Sequence, residues 1–203
     1  MVIGLTGKTC SGKDYIGSLM QKKGFYVIDS DAISHQALIQ EKDKVVKAFG
    51  KRILDTNGNL ERKILGPLVF KDEKKLKILE GILRDYIIME CKNQIENHKN
   101  QITVLNAPLL QRYKLESLCD MAIFVYSPFV VRYLRAKKRD SISLFNFYRR
   151  NLNQKDIKLL KLRNKMRVKV FYNFYNSNKI NRQVSKFCDR MKKNEGSKNG
   201  KEE

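Results

Sequence analysis

The chain has 203 residues, with 42 Lys+Arg against 21 Asp+Glu for a formal net charge of +21, and 42% hydrophobic residues. That length suits one domain with a small insertion, and that apolar fraction is enough for a core, which excludes wholesale disorder. No apolar run approaches the roughly 20 residues that cross a bilayer, Met1–Gly7 lacks a signal-peptide pattern, and the scattered Cys10, Cys91, Cys119 and Cys188 give neither a zinc spacing nor a disulfide framework, so a cytoplasmic protein with no membrane role is expected.

In chain order, Val2–Thr6 reads as a strand entering a glycine-rich turn, and Lys13–Lys22 as a helix. Phe25–Ile28 is a second strand and Asp31–Leu38 a second helix. After the Asn57-Gly58 turn signal, helical patterns fill Leu60–Val69, Asp72–Glu80 and Ile82–His98. Ile102–Leu105 is a third strand, and Met121–Tyr126 a fourth, stopped by Ser127-Pro128. Helices are expected over Phe129–Lys138, Ile142–Asn151 and Gln154–Lys165, then a strand at Val168–Tyr172 and a closing helix at Lys179–Met191. Residues 194–203 read as a disordered tail by composition. Short apolar strands alternating with helices predict an α/β fold, a doubly wound parallel sheet of about five strands. Strands two and three are too far apart in sequence for one crossover. A helical subdomain at about 57–100 is therefore expected within a single domain spanning 1–193.

The strongest local signal is Gly7-Lys8-Thr9-Cys10-Ser11-Gly12-Lys13-Asp14, which fits G-x-x-x-x-G-K between a predicted strand and a predicted helix. Glycines admit positive φ, so successive backbone N–H groups converge on phosphate oxygens. The helix start adds its positive dipole end, and Lys13 supplies an ammonium for the β- and γ-phosphates. Residues Gly7 to Tyr15 are thus the expected ATP cradle. The residue after the lysine is Asp14 where Ser or Thr is usual. A carboxylate there either holds Mg²⁺ as a hard oxygen ligand or repels the phosphates, by about 4 kcal/mol at about 4 Å and an effective dielectric of about 20. A first-turn Asp favoured only by the helix dipole is the third reading.

The sequence resembles the dephospho-coenzyme A kinases. The likeness rests on Ile3-Gly4-Leu5-Thr6-Gly7, Ser11-Gly12-Lys13 and Val27-Ile28-Asp29-Ser30-Asp31. It continues through Ala48-Phe49-Gly50, Ile53-Leu54, Asn57-Gly58-Asn59-Leu60-Glu61-Arg62, Val69-Phe70, Pro108-Leu109-Leu110, the pair Arg135 and Arg139, Arg150 with Gln154, and Asn173. The resemblance implies ATP- and Mg²⁺-dependent phosphorylation of the ribose 3′-hydroxyl of dephospho-CoA, with a lid at about 136–160. It implies Asp31 as general base, with Asp29 capping or orienting, and Lys13 and Arg139 acting on the transferring phosphoryl group. ATP contacts are implied at Arg135, Arg139 and Asn173. Substrate contacts are implied at Asp31, His35, Arg62, Pro108, Leu109, Arg150 and Gln154. A capping role for Asp31, a surface role for His35 and a solvated arginine face remain the plainer alternatives.

Five positions depart from the family pattern: Lys8 for a glycine, Asp14 for Ser or Thr, Arg84-Asp85 for a His-Pro pair, and Asn106 for an Asp at the end of strand three. One account is compensation, a carboxylate lost at Asn106 having reappeared at Asp14. The Phe145, Phe147, Tyr148 and Phe171, Tyr172, Phe174, Tyr175 clusters read as core and receive no role. Residues 132–203 carry 22 basic and 6 acidic side chains, a net +16. Against 29 Lys the chain has only 6 Ala, a composition that makes much of this charge solvated surface. ATP and dephospho-CoA are the expected partners of a monomer or small homo-oligomer, and nucleic acid is not. The competing readings are another P-loop nucleoside or nucleotide kinase, and a catalytically impaired relative that binds nucleic acid through its basic C-terminal third.

Overall fold

The computed structural model describes residues 1–174 and 177–199. Its elements begin with β1 (Val2–Gly7), α1 (Lys13–Lys22), β2 (Tyr26–Asp29), α2 (Ser30–Gln40) and α3 (Lys42–Phe49). Next come α4 (Arg62–Phe70), α5 (Glu73–Asn97), β3 (Thr103–Asn106) and β4 (Met121–Tyr126). The chain continues with α6 (Phe129–Asp140), α7 (Leu144–Leu152), α8 (Leu159–Arg163), β5 (Val168–Tyr172) and α9 (Ser177–Asn199). Two compact units result, one of Met1–Ile28 with Ile95–Glu203 and the other of Asp29–Gln94.

The first unit holds a sheet in the order β2-β3-β1-β4-β5. β1 pairs in parallel with β3, Leu5 opposite Asn106, and with β4, Gly7 opposite Val125. β4 pairs in parallel with β5, Tyr126 opposite Tyr172. The register brings Gly7, Asn106, Tyr126 and Tyr172 to one carboxyl edge, where doubly wound sheets take their ligands. Strand alternation sends Ile3, Leu5, Ile123 and Val125 toward α1 and α9. There they pack with Ile16, Met20, Ile180, Val184, Phe187 and Met191. Each such burial contributes about 1.5–3 kcal/mol. On the opposite face a Cβ on Gly4 would lie 2.9 Å from Leu110 and 3.1 Å from Cys119, so that position has no room for a side chain.

The aromatic clusters divide. Phe147 and Phe171 are buried, Phe147 lying 5.2 Å from Phe129 and 5.7 Å from Tyr133 between ring centroids. Phe145, Tyr148, Tyr172 and Phe174 are exposed, against the expectation of core, and Tyr175 lies outside the described residues. Each cluster straddles a helix or strand whose periodicity turns alternate rings to solvent. The expected helix Gln154–Lys165 reduces to Leu159–Arg163. The Gln154 side chain, the Asn153 carbonyl and the Asp156 carboxylate are all engaged by other segments, which holds this stretch in turns. α9 continues past the expected Met191 to Asn199, so residues 194–199 of the supposed tail are helical; residues 200–203 lie outside the description.

The second unit is helical and begins at Asp29, well before residue 57. α3 has no counterpart in the sequence reading; its only buried residues are Val45 and Phe49, an i, i+4 pair too sparse to stand out. α5 runs unbroken through Glu80-Gly81, where two helices were expected. A helical glycine costs about 1 kcal/mol relative to alanine. The buried stripe Leu79, Leu83, Ile87 and Cys91 crosses that position and outweighs it. Arg84-Asp85 contains no proline, so nothing kinks the helix there.

Candidate active site

The cradle starts where β1 ends. A Cβ on Gly7 would come within 2.7 Å of the Val125 carbonyl oxygen, so the strand can enter the turn only with glycine. Cys10 takes φ 59° and Gly12 φ 91°, two left-handed residues that curl the loop before α1. A Cβ on Gly12 would strike the Asn173 side-chain amide. The helix starts at Lys13 without a side-chain cap, so its first-turn N–H groups face the loop.

The loop carbonyls are tied outward. Arg135 Nη1 donates to the Cys10 and Ser11 carbonyls at 3.4 and 3.2 Å, and its Nη2 donates to Asn173 Oδ1 at 3.2 Å and to the Phe174 carbonyl. Asn173 Nδ2 donates to the Ser11 carbonyl at 2.8 Å. Arg132 Nη1 donates to the Thr9 carbonyl at 3.3 Å. With three consecutive carbonyls held from behind, the amides of the loop turn to its concave side. Two loop amides are already engaged: Thr9 N–H donates to Gln154 Oε1 at 2.7 Å, and Ser11 N–H donates to the Lys8 carbonyl at 3.0 Å.

Arg132 was not anticipated. It is 4% exposed, and its acceptors are neutral oxygens, the others being the Ser127 carbonyl at 3.1 Å and Asn151 Oδ1 at 2.9 Å. Its guanidinium sits 5.7 and 5.8 Å from the centroids of Phe129 and Phe147. Burial pushes its pKa down from the usual arginine range. A buried cation held by neutral acceptors adds positive potential to the loop above it. It also joins β4, the loop and α7. Arg132→Met is expected to destabilise the fold by about 2–4 kcal/mol, because three oxygens lose a charged donor. A smaller loss from Arg132→Lys is expected; equal unfolding midpoints for Met variant and parent would refute this role.

At the centre stand Lys13, Asp14 and Asn106. Lys13 is 7% exposed and its Nζ lies 2.5 Å from Asp14 Oδ1. Asn106, at the end of β3, donates from Nδ2 to the same oxygen at 3.0 Å. Partial burial raises the Asp14 pKa, but hydrogen bonds from Asn106 and Lys13, with the charges of Lys13 and Arg139, outweigh it and hold the carboxyl below its ordinary value. Asn106 Oδ1 and Ser11 Oγ are buried and have no hydrogen-bond partner among the described residues. Tyr15 turns its hydroxyl to Asn181 of α9 at 2.7 Å. Burial and the Arg132 and Lys158 charges lower the Lys8 pKa, against the pull of Asp156.

The segment after α6 is anchored over this loop by side chains. Asp140 receives Arg139 Nε at 2.7 Å and Arg150 Nη1 at 2.8 Å, and these donors pull its pKa down to about 2. Arg112, also unanticipated, forms a fork on Asp156 at 2.9 and 2.6 Å and donates to the Asn153 carbonyl. Burial acts to raise the Asp156 pKa, yet this fork leaves it lowered. Neither arginine carries a local sequence signal; both act across long chain separations. Arg135 is thus bound to the loop and not a solvated face, whereas Arg139 is exposed and paired to Asp140. On the other side of the loop, the Thr6 hydroxyl donates to the Pro108 carbonyl at 3.3 Å, next to Leu109.

In the second unit, Asp29 is the helix cap: its Oδ1 accepts from the Asp31 amide at 3.0 Å. Asp31 therefore sits in the first turn of α2, with its carboxylate not needed as the cap. His35 lies four residues on, on the same helical face, and both are exposed. Arg62 opens α4 and is exposed.

The family model described as "Dephospho-CoA kinase" matches residues 1–168. A dephospho-CoA kinase of Fusobacterium nucleatum is 34% identical over 197 residues, covering 93% of this chain and 97% of that protein. Among solved structures, one from Thermus thermophilus superposes with a TM-score of 0.78 at 24% identity, over 92% of this chain and 94% of that one. The dephospho-CoA kinase of Campylobacter jejuni gives a TM-score of 0.62 at 24% identity, over 93% and 96%. At that identity the two structures speak for the P-loop kinase fold alone.

Proposed function

The chain belongs to the dephospho-CoA kinase family, and on that premise we propose how its own residues move the terminal phosphoryl group of ATP to the ribose 3′-hydroxyl of dephospho-CoA. It is a phosphotransferase with an alcohol acceptor. The observation that supports the scheme most is the loop whose Thr9, Cys10 and Ser11 carbonyls are bound from behind by Arg132, Arg135 and Asn173. Such a loop has its backbone curl fixed before the nucleotide arrives, which suits the positioning that phosphoryl transfer demands of its protein.

In this scheme the ATP phosphates occupy the loop from Gly7 to Tyr15, and Lys13 moves its ammonium from Asp14 to the β- and γ-phosphate oxygens. Asp31 accepts the proton of the 3′-hydroxyl as that oxygen bonds to the γ-phosphorus. The bond from phosphorus to the β–γ bridging oxygen breaks, and ADP leaves. Arg139, oriented by Asp140, neutralises charge on the transferring group, and Arg150 shares that carboxylate. Arg135 and Asn173 act on ATP through the loop they hold. The family pattern assigns contacts with the acceptor to His35, Arg62, Pro108 and Leu109, Arg62 serving one of its anionic groups. Gln154, on the Thr9 amide, couples the lid to the loop and hands that amide to a phosphate when the nucleotide enters.

The oxygen donors beside Lys13 suit Mg²⁺. Asp14 offers a carboxylate, and Asn106, whose amide holds that carboxylate, has a buried Oδ1 with no hydrogen-bond partner among the described residues. Among those residues no group of three or more His, Cys, Asp or Glu could hold a metal, and Mg²⁺ commonly needs only one or two protein ligands besides substrate phosphates. When bound, the ion neutralises charge on the β- and γ-oxygens. No helix of the described residues is long and apolar enough to cross a membrane; a cytoplasmic monomer or small homo-oligomer completes the reading.

Incubation with ATP, Mg²⁺ and dephospho-CoA should yield ADP and CoA in equal amounts by mass. Turnover of nucleosides but not dephospho-CoA would transfer the protein to another substrate class. No turnover, with strongly salt-dependent RNA binding, would mark a kinase-like binding protein.

A further inference from the structure

We propose that Asp14 makes nucleotide entry conditional on a divalent cation, so that this loop admits ATP with its metal and rejects ATP without it. The inference rests on the ATP and Mg²⁺ reading above and adds a binding order to it.

Two donors converge on one carboxylate oxygen. Asp14 Oδ1 takes the Lys13 ammonium at 2.5 Å and the Asn106 amide at 3.0 Å. The Asp14 side chain is 71% exposed while that of Lys13 is 9% exposed, so the carboxylate stands toward solvent and the ammonium lies behind it. The cation that a phosphate-binding loop relies on is therefore already neutralised. A metal-free ATP meets an engaged lysine and a carboxylate of its own sign beside the loop. A divalent ion reverses both effects. The carboxylate becomes its ligand and no longer opposes the phosphates or holds the Lys13 ammonium.

Asn106 completes the device. An amide at this position donates to Asp14, as no carboxylate could, and keeps a carbonyl oxygen, Oδ1, that is buried without a partner among the described residues. The pair thus carries one negative charge on two oxygen-bearing side chains. A carboxylate at both positions would place like charges at hydrogen-bond distance, which neither could ionise fully. A hydroxyl in place of Asp14 would remove the opposing carboxylate and with it the gate.

The test is direct nucleotide binding, by calorimetry, in excess chelator and in excess Mg²⁺. In the parent, Mg²⁺ is expected to tighten ATP by about 100-fold or more, and Asp14→Ser to improve chelator affinity by about 10–100-fold, the range left after solvent screening of an exposed charge. Asp14→Asn, nearly isosteric, should behave likewise if the serine variant folds poorly. The double variant Asp14→Ser with Asn106→Asp should regain Mg²⁺-dependent binding without regaining the chelator penalty. Equal affinity of the parent in chelator and Mg²⁺, or an unchanged ratio in both Asp14 variants, overturns the proposal. Turnover of dephospho-CoA by the parent is measured alongside. If it is absent, the assigned reaction fails while the binding ratios still decide the gate; if it is present with no gate, only this inference falls.

Discussion

Lys13→Met is expected to lower kcat/KM for dephospho-CoA phosphorylation by about 10³-fold or more while leaving the fold intact, an effect at or beyond the upper range for losing one preorganised charge-stabilising donor. The side chain is nearly buried and its ammonium touches Asp14 at 2.5 Å, so methionine fills the stem's volume and removes only the charge. The loss has two parts. In the proposed scheme the β- and γ-oxygens lose a cation, and the Asp14 carboxylate loses the ammonium it accepts from. Adding Asp14→Asn to Lys13→Met should therefore recover part of the lost ATP affinity, though little of kcat. Steady-state kinetics with thermal unfolding curves separates the cases. A loss under tenfold with an unchanged midpoint would remove Lys13 from the chemistry.

Asp31→Asn is expected to reduce kcat by about 10²–10⁴-fold with KM for dephospho-CoA nearly unchanged, the size general-base contributions take. The neighbouring Asp29→Asn provides the contrast. Asp29 is the residue whose Oδ1 caps α2. Asparagine caps nearly as well as aspartate, so this variant should lose little stability and little activity. Asp29→Ala should cost about 1 kcal/mol of stability and spare kcat. If Asp29→Asn were the slow enzyme and Asp31→Asn the fast one, the base would have to be reassigned.

How far the site could be read depended on how local its physics was. The Gly7-to-Lys13 cradle, the strand β4 and the strand β5 follow from short-range rules: glycine conformations, a helix start, and apolar runs with turn signals at their ends. Asp29 and Asp31 illustrate the boundary. Both are visible in the sequence beside a strand end, but which of them caps the helix depends on where the helix begins, and it begins at Ser30. α5 marks a second boundary. Gly81 is a local break signal, and it is overridden by a buried stripe that exists only because a partner surface covers it.

Residue types and their local order already specify a parallel α/β fold, a phosphate-binding loop at its first turn, and the exchange of residue types at Asp14 and Asn106. Those are properties of residue type and near-neighbour spacing. Folding alone makes Asn106 donate to Asp14 from 92 positions away and sets Arg132, Arg135 and Asn173 behind the loop's carbonyls. It also decided that Arg139 and Arg150 meet on Asp140 and that Arg112 clamps Asp156. A buried arginine and a solvated one look alike in a chain with 42 basic residues. What separates them is whether desolvation is offset by acceptors brought from distant segments, and that is settled when the chain folds.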